Sequence, residues 1–440
     1  MPVKVETPPV LPGLSPVCGS PIVARFDGAS MSSDDGLLAL REVEQRLGIA
    51  SRLAACTSDP RAPRRVRHAL DAIISTRMLM IAAGYEGDND ADSLRGAPMF
   101  KLAKGLLPDD AGLYSQPTIS RLENLPDAPA LLRMGHAMVD RYCQSFHQVP
   151  HRTTLAIDDT FQVVHGGQQL RLFDAHYVEY GFQPVVVFNQ SGCMIAAVLR
   201  PVNRPSDRQI VRCLRLLITA IGGNCPRVEI TLRADSYYWT PEVLRFYCAQ
   251  RLDYTWPPPG GCASISQSWR STAARADVDA DGREQRHFKD FYDAAASWDR
   301  VERIIARVEG RAAGDRHTLY CHRPRHPVGP DDIPGELLCA GSGRKPHQGL
   351  EDTSGSRVAR HAAAQWPTRC ACSYWPMSGL RTLTPRRLRR RVAQFDTLCL
   401  IKLTVRIEVM TTQIRLYLPK ATPNHAIFTL LLTRMPRLNR

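Results

Sequence analysis

Apolar residues recur at helical spacing through the first third of the chain. In residues 32–49, a stripe of leucine and valine side chains predicts a helix with Ser33 and Asp34 as its capping residues. Residues 66–85 have the composition of a second, more buried helix. We therefore interpret residues 21–150 as a mostly helical region.

Beyond that region, the pattern changes to strands that alternate with helices. The predicted order is a strand at 153–157, another at 170–177, a hairpin at 182–200, a helix at 207–223 and a strand that ends near Asp235. Thr240 and Pro241 then have the residue types that cap and begin a further helix. Strands and helices in this order predict an α/β fold.

Composition adds an expectation about the partner of the protein. The chain has 440 residues, a net charge of +14 and a pI near 9.4, which favours an anionic partner such as nucleic acid. We expect no membrane segment, because no apolar run reaches the roughly 18 residues that a spanning helix needs. The proline-rich residues 1–20 are interpreted as a disordered lead-in.

Arginines cluster in the loop before the second predicted helix. The cluster consists of Arg61, Arg64, Arg65 and Arg67. It is either a solvated surface or part of a helical DNA-binding module, and no recognition helix can be placed from the sequence. The DNA-binding residues therefore stay unknown at this point.

Two predicted strands end on carboxylates. Asp158 and Asp159 end the first strand, and Asp235 follows the strand after the 207–223 helix. An aspartate at such a position often caps a turn or a helix, but Thr240 already supplies the cap after Asp235. Carboxylates that converge at one edge of an α/β sheet would bind Mg²⁺, so these residues are candidate metal ligands.

Several motifs together resemble the DDE transposases of bacterial insertion sequences, specifically the insertion-sequence thirteen-eighty group. They include "GYEGDNDADSLRGAPMFKLAKG" (84–105), "SQPTISRLEN" (115–124), "IDDTFQVVHGGQQLRLFDAHYVEYGFQPVVVF" (157–188) and "LRADSYY" (232–238). Similar stretches lie at 26–48, 198–206, 289–310 and 390–403. A lone Asp-Asp-Thr would be a weak signal, and the joint occurrence of these motifs makes the resemblance specific.

The resemblance implies a ribonuclease-H-like catalytic core with a β-rich insertion, within a transposase domain over 151–440. Asp158 would be the first catalytic acid, with Asp159 as the alternative, and Asp235 the second. Asp158 and Asp235 would bind two Mg²⁺ ions that drive DNA strand cleavage and strand transfer. The implied partner is double-stranded DNA, both terminal inverted repeats and target, bound by a homodimer at the bacterial nucleoid in the cytoplasm.

The chain departs from the family at the third catalytic acid. Related enzymes carry Y-x-x-R-x-x-x-E on a helix, and here Tyr320 and Arg323 match while Pro327 replaces the glutamate. Our hypothesis is that residues 317–389 are translated out of frame and are disordered or non-native, with 255–269 as a second such patch. The third acid is therefore unknown.

Four other interpretations stay open. Acidic residues near the expected position could substitute for the glutamate: Asp331, Asp332, Glu336, Glu351 and Asp352. Cysteines and histidines in the same segment could bind zinc, although their spacing is poor: Cys321, His322, His326, Cys370 and Cys372. The protein could also be a catalytically dead DNA-binding remnant, or a phosphatase with an aspartyl nucleophile, for which Ala156 stands at the nucleophile position.

Overall fold

The structure is a computed structural model that describes most of the chain up to residue 323 and a C-terminal segment. The described residues are 30–85, 87–163, 171–190, 193–203, 205–234, 238, 240–256, 285–293, 301–310, 316–323, 401–419, 425 and 429. The predicted lead-in at 1–20, the candidate ligand Asp235 and residues 324–400 lie outside this set.

Nine α-helices lie within the described residues, and side-chain caps fix where the later ones begin. Their bounds are α1 Leu37–Leu47, α2 Ile49–Ala55, α3 Leu70–Ala82, α4 Asp90–Leu94, α5 Pro98–Ala103, α6 Gln116–Glu123, α7 Ala128–Gln144, α8 Asp207–Asn224 and α9 Pro241–Ala249. Ser206 and Gln209 form a reciprocal capping box at the start of α8. Thr240 caps α9, which confirms the predicted helix start.

The predicted caps of α1 are wrong. Gly36 occupies the N-cap position, and no side chain caps the helix. The Asp34 carboxylate instead accepts hydrogen bonds from the Lys402 ammonium at 2.7 Å and the Tyr85 hydroxyl at 3.1 Å. Since this aspartate is almost fully buried, a direct ion pair offsets its desolvation better than a surface cap would.

Strands in the described part of the chain form three sheets. Their bounds are β1 Met31–Ser32, β2 Arg152–Asp159, β3 Gln162–Val163, β4 Leu172–Asp174, β5 Glu179–Phe182, β6 Val185–Asn189, β7 Met194–Val198, β8 Glu229–Arg233, β9 Asp253–Trp256, β10 Gln285–Asp293, β11 Glu302–Gly310, β12 Arg316–Arg323, β13 Val405–Val409 and β14 Ile414–Tyr417. Strands β6 and β7 pair antiparallel, which confirms the hairpin predicted at 182–200.

The first unit of the chain joins its two ends. It comprises the described parts of Met1–Ser51, Pro60–Leu122 and Gly379–Arg440. Helix α1 packs against α3 and α5, and a small sheet has the order β1-β13-β14. The predicted domain limits assign the C-terminal residues to the transposase domain, whereas the pairing of β1 with β13 groups residues 401–419 with the helical unit.

The second unit contains α7, α8, α9 and a sheet of eight described strands. The strand order is β10-β11-β12-β9-β8-β2-β6-β7. Strand β2 is parallel to β8, which is parallel to β9, while β6 and β7 run antiparallel to their neighbours. The fold is therefore mixed α/β, as the alternating pattern from 153 onward predicts.

The three parallel strands present two different faces. Aligned residues in the paired strands share a face, and successive residues alternate between faces. One face, which we call the helix-covered face, carries Thr153, Leu155, Ile157, Ile230, Leu232 and Tyr254. The other, which we call the polar face, carries Arg152, Thr154, Ala156, Asp158, Glu229, Thr231, Arg233, Asp253 and Thr255.

Helices α7 and α9 contact the helix-covered face through tyrosines. The Tyr142 hydroxyl hydrogen-bonds the Thr153 hydroxyl at 2.7 Å, and the Tyr247 and Tyr254 rings lie 5.8 Å apart. Helix α8 packs against both α7 and α9. Leu155 and Leu232 are fully buried between the paired strands and these helices, so this face holds part of the core of the second unit.

Candidate active site

Asp158 and Asp159 are the last two residues of β2, between β8 on one side and β6 on the other. In the pairing with β6, Asp158 lies opposite Val186 and Asp159 lies opposite Val185. The prediction that a strand ends on these two acids is confirmed. Strand β6 pairs with β2 up to Asp159, whereas the described pairing with β8 ends at Ala156.

The two carboxylates lie on opposite faces of the sheet, since they are consecutive residues of one strand. Asp159 is on the side of Ile157, and its Oδ2 accepts a hydrogen bond from the Gln183 side-chain amide. Asp158 is on the polar face, and its Oδ1 accepts a hydrogen bond from the Asp159 backbone N–H at 3.0 Å. The neighbouring acids therefore have different surroundings, which their adjacency in sequence does not reveal.

Asp235 lies outside the described residues, but the strand that leads to it does not. Strand β8 ends at Arg233, which is paired with Ala156 in the parallel register. The pairing offset is 77 residues throughout, since Arg152 is aligned with Glu229. Asp158 is thus two residues beyond the last aligned residue of β2 in this pairing.

An ionic cluster occupies the opposite end of the polar face. The Arg152 guanidinium lies 3.5 Å from Glu229 and 3.7 Å from Asp253, and both carboxylates are almost fully buried. These residues are at the first positions of the three parallel strands. The cluster ties those strands together at the end away from Asp158 and is a structural element of the sheet.

The donor type at Asp158 fits a divalent cation, but the described residues do not complete a site. Carboxylate oxygens are the preferred ligands of Mg²⁺, and Asp158 is half-buried at a strand end. Within the described ranges, no three histidine, cysteine, aspartate or glutamate side chains form a group that could hold a metal ion. Any further ligands of a metal at Asp158 would have to come from residues that the structure does not describe.

Residues 317–323, at the start of the segment predicted to be disordered or non-native, form part of a strand. They belong to β12, which pairs with β11 on one side and with β9 on the other. Pairing on both sides satisfies the backbone, which the proline-rich local pattern did not predict. Tyr320 and Arg323 therefore lie in a strand rather than on the helix that the family motif requires.

The other candidates in this segment lie outside the described residues. They include the substitute acids Asp331, Asp332, Glu336, Glu351 and Asp352 and the zinc candidates His326, Cys370 and Cys372. The second predicted out-of-frame patch, 255–269, begins inside β9, since Thr255 and Trp256 pair with β12. The remainder of that patch is also outside the described part.

A small aromatic sheet follows the candidate acids directly, and the sequence predicted only one of its strands, since β4 lies within the strand expected at 170–177. Its order is β3-β5-β4, and its strands carry Phe173 and Tyr180 with ring centroids 5.4 Å apart. The Arg171 guanidinium lies 4.8 Å from the centre of the Tyr180 ring. The pairing of β4 with β5, which brings the aromatic side chains together, was not predicted from the sequence.

The arginine cluster of the first unit lies on a loop that is anchored by one ring contact. Arg64 and Arg65 are in a single 3₁₀ turn at Pro63–Arg65, and both are exposed, as is Arg67. His68, next along the chain, packs edge-on against Tyr114 with ring centroids 4.7 Å apart. Burial lowers the pKa of His68, and the nearby arginines lower it further.

Sequence comparison assigns the family. The family described as Transposase DDE domain group 1 matches residues 14–440 of the chain. The chain therefore belongs to this transposase family, and the resemblance to DDE transposases seen in the sequence is confirmed at that level. No match was found among curated proteins.

Comparison of folds found a transposase among the solved structures. The cryo-EM structure of a piggyBac transposase synaptic complex with hairpin DNA aligns with a TM-score of 0.41 and 9% sequence identity. The alignment covers 83% of this chain and 80% of that chain.

In the described part of the present structure, no helix is long and apolar enough to cross a membrane.

Proposed function

We propose that the protein is the transposase of a bacterial insertion sequence of the thirteen-eighty group. It binds the terminal inverted repeats and carries out metal-dependent DNA strand cleavage and strand transfer at the nucleoid. The observation that carries the proposal is the position of Asp158 at the end of β2, in a sheet whose order is β7-β6-β2-β8-β9. Three antiparallel strands followed by two parallel ones is the order of a ribonuclease-H-like core.

The strand register supports Asp235 as the second metal ligand. Asp158 and Asp235 are 77 residues apart, which equals the offset at which β2 and β8 pair. A continuation of that register by two residues would align the two carboxylates on the same face of neighbouring parallel strands. Two such oxygen donors at one sheet edge suit Mg²⁺.

Among the neighbouring acids, Asp158 is the better ligand candidate. Asp159 is engaged by the Gln183 side chain and lies on the other face from the proposed partner. We assign Asp159 the role of positioning the end of β2 through that contact. Asp158 remains the proposed first catalytic acid, and Asp159 is the alternative. The cleavage assay below compares substitutions of both residues.

The chemistry of the site would come from two Mg²⁺ ions, which activate a water or a 3′-hydroxyl and stabilise the leaving oxygen at phosphorus. The role of Asp158 and Asp235 is to hold those ions against the strand ends. A third acid would have to come from residues that the structure does not describe. Until it is found, a catalytically dead DNA-binding remnant is the second candidate function, favoured by Pro327 in the place of the expected glutamate.

DNA binding itself rests on charge that the catalytic carboxylates do not provide. The exposed Arg64, Arg65 and Arg67 form a compact cationic loop in the first unit, and the whole chain carries a net charge of +14. Arginines of this kind contact phosphates without reading sequence. We expect this loop to contact the DNA backbone and a homodimer to hold two DNA ends.

The test is cleavage of DNA that carries the element end, in the presence and absence of Mg²⁺. We expect Asp158→Asn and Asp235→Asn to abolish cleavage and Asp159→Asn to retain it. A version with the reading frame restored across 317–389 is run beside the natural chain. Cleavage only by the restored version supports the dead remnant, while cleavage that survives both Asp158→Asn and Asp235→Asn overturns the assignment.

A further inference from the structure

The β4–β5 hairpin presents an aromatic surface next to the candidate active site. We infer that the face formed by Arg171, Phe173 and Tyr180 stacks against unpaired bases of the DNA end that Asp158 acts on. This inference rests on the proposed function, and it adds a class of ligand, the unpaired base, and the residues that would bind it.

The strand register places the three residues on one face. Phe173 is aligned with Tyr180 in the antiparallel pair, so the two side chains are direct cross-strand neighbours. Arg171 is two residues before Phe173, and its guanidinium lies over the Tyr180 ring. The acidic residues of the hairpin, Asp174 and Glu179, are aligned with each other on the opposite face.

This face is open to solvent although it is apolar. Phe173 is 51% exposed and Tyr180 is 47% exposed. Phe182, two residues after Tyr180 and nearer the large sheet, is almost fully buried. Exposed aromatic side chains grouped in this way mark an interaction site more often than a free surface.

The hairpin is held in a defined shape. The Asp174 carboxylate accepts hydrogen bonds from the backbone N–H groups of His176 and Tyr177, which closes the turn. At Gly181, a Cβ atom would lie only 2.7 Å from the Phe161 ring and closer still to the Gln162 carbonyl oxygen, so glycine is required where β3 meets β5. A preorganised aromatic surface loses little entropy when it binds.

The hairpin is joined on both sides to the end of β2. Strand β3 begins at Gln162, three residues after Asp159, and β5 ends at Phe182, next to the residue whose amide binds the Asp159 carboxylate. The Thr160 backbone N–H also donates to the Pro184 carbonyl at 3.2 Å. DNA held at the end of β2 would therefore lie next to the segment that carries the aromatic surface.

The chemistry of the surface selects unpaired bases. Aromatic rings stack on any base, and an arginine beside them contacts the adjoining phosphate, which is the common arrangement for single-stranded nucleic acid. Inside a duplex, the faces of the bases are already covered by their neighbours. Only bases that have separated near the cleavage site could reach Phe173 and Tyr180.

The experiment measures binding of the full chain to a duplex with a blunt end and to the same duplex with a short unpaired end. The unpaired end carries 2-aminopurine, whose fluorescence falls when the base stacks, and Mg²⁺ is left out to prevent cleavage. We expect the unpaired end to bind about tenfold more tightly and to be quenched. The double variant with Phe173→Leu and Tyr180→Leu loses this preference and the quenching, with blunt-end binding unchanged.

Two variants control for loss of a ring and for general damage. Tyr180→Phe keeps the ring and should keep the preference. Tyr417→Leu removes a similar tyrosine, which lies under Arg406 at 4.4 Å in the β13–β14 hairpin, and should leave both DNAs unaffected. A second copy of the chain is the competing occupant of the aromatic face, and it predicts altered oligomeric state in the leucine variants without any change in DNA preference.

The inference is overturned if the natural chain shows no preference for unpaired ends, if Tyr417→Leu abolishes it equally, or if only the oligomeric state changes. The proposed function fails by a different result, namely that the protein cleaves no DNA in the presence of Mg²⁺. A chain that never cleaves but keeps the ring-dependent preference supports base stacking and refutes the catalytic assignment.

Discussion

The two faces of the parallel strands differ in what they contain and in what they can do. The helix-covered face is apolar and fully packed, with Leu155 and Leu232 buried under tyrosine-bearing helices. The polar face, built from the intervening residues of the same strands, carries charges and hydroxyls, among them Asp158 and the buried Thr231. The helix-covered face therefore packs an apolar layer against the helices, while the polar face holds the carboxylates. The neighbouring strand β6 adds the buried Val186 and Phe188 to the polar face.

The largest expected effect tests whether Asp158 on the polar face takes part in the chemistry. We predict that Asp158→Asn lowers the rate of metal-dependent cleavage about a thousandfold or more, because it removes a metal-binding carboxylate while changing few contacts. Urea unfolding of the same variant should shift by less than about 1 kcal/mol. If Asp158→Asn lost activity only because the protein unfolded, Asp158 would stabilise the fold rather than bind metal.

The next effect tests how much the helix-covered face contributes to stability. We predict that Leu155→Ala lowers the free energy of unfolding by about 3 kcal/mol, since it opens a cavity in a fully packed region. Its neighbour Thr154, half-buried on the polar face, is the matched control, and Thr154→Ala should cost less than about 1 kcal/mol. Equal losses in chemical denaturation would mean that both faces carry the core.

A smaller effect concerns the hydrogen bond between the hydroxyls of Tyr142 and Thr153 on the helix-covered face. Tyr142→Phe breaks the 2.7 Å bond to Thr153, and we predict a loss of about 1 kcal/mol. Burial raises the pKa of the Tyr142 phenol to about 12, above its usual value of 10.0, so the folded state holds this proton more tightly. Natural protein should lose stability as pH rises from 10 to 12, and the phenylalanine variant should lose less.

The smallest effect is an expected gain. Within the described residues, the buried Thr231 hydroxyl has no hydrogen-bond partner. Thr231→Val keeps the branched shape and removes the unpaired group, so we predict a gain of about 1 kcal/mol in urea unfolding. A loss instead would reveal a partner for the hydroxyl in another part of the chain.

Local patterns predicted the elements whose determinants lie close together in sequence. The end of β2 at Asp159, the β6–β7 hairpin and the starts of α8 and α9 each depend on a few neighbouring residues. The register of β2 with β8 was not predictable, because parallel pairing depends on contacts 77 residues apart. Asp158 and Asp159 lie on opposite faces because successive residues of β2 alternate, whereas the contact of Asp159 with Gln183 depends on the tertiary fold.

Tertiary contacts explain where sequence reasoning failed. Asp34 has the residue type of a helix cap, but its partner Lys402 lies 368 residues away. Residues 317–323 look irregular by composition, yet two neighbouring strands order their backbone. The aromatic face of β4–β5 was missed because its exposure, rather than its composition, makes it unusual.

The pairing of β1 with β13 has a consequence for the gene. Met31 and Ser32 acquire their strand partners only after the ribosome has translated the codons for Val405 and Arg406. A growing chain therefore carries the helical unit without this sheet until those codons have been translated. A shift of reading frame that persisted through the codons of β13 would remove the strand partner of β1.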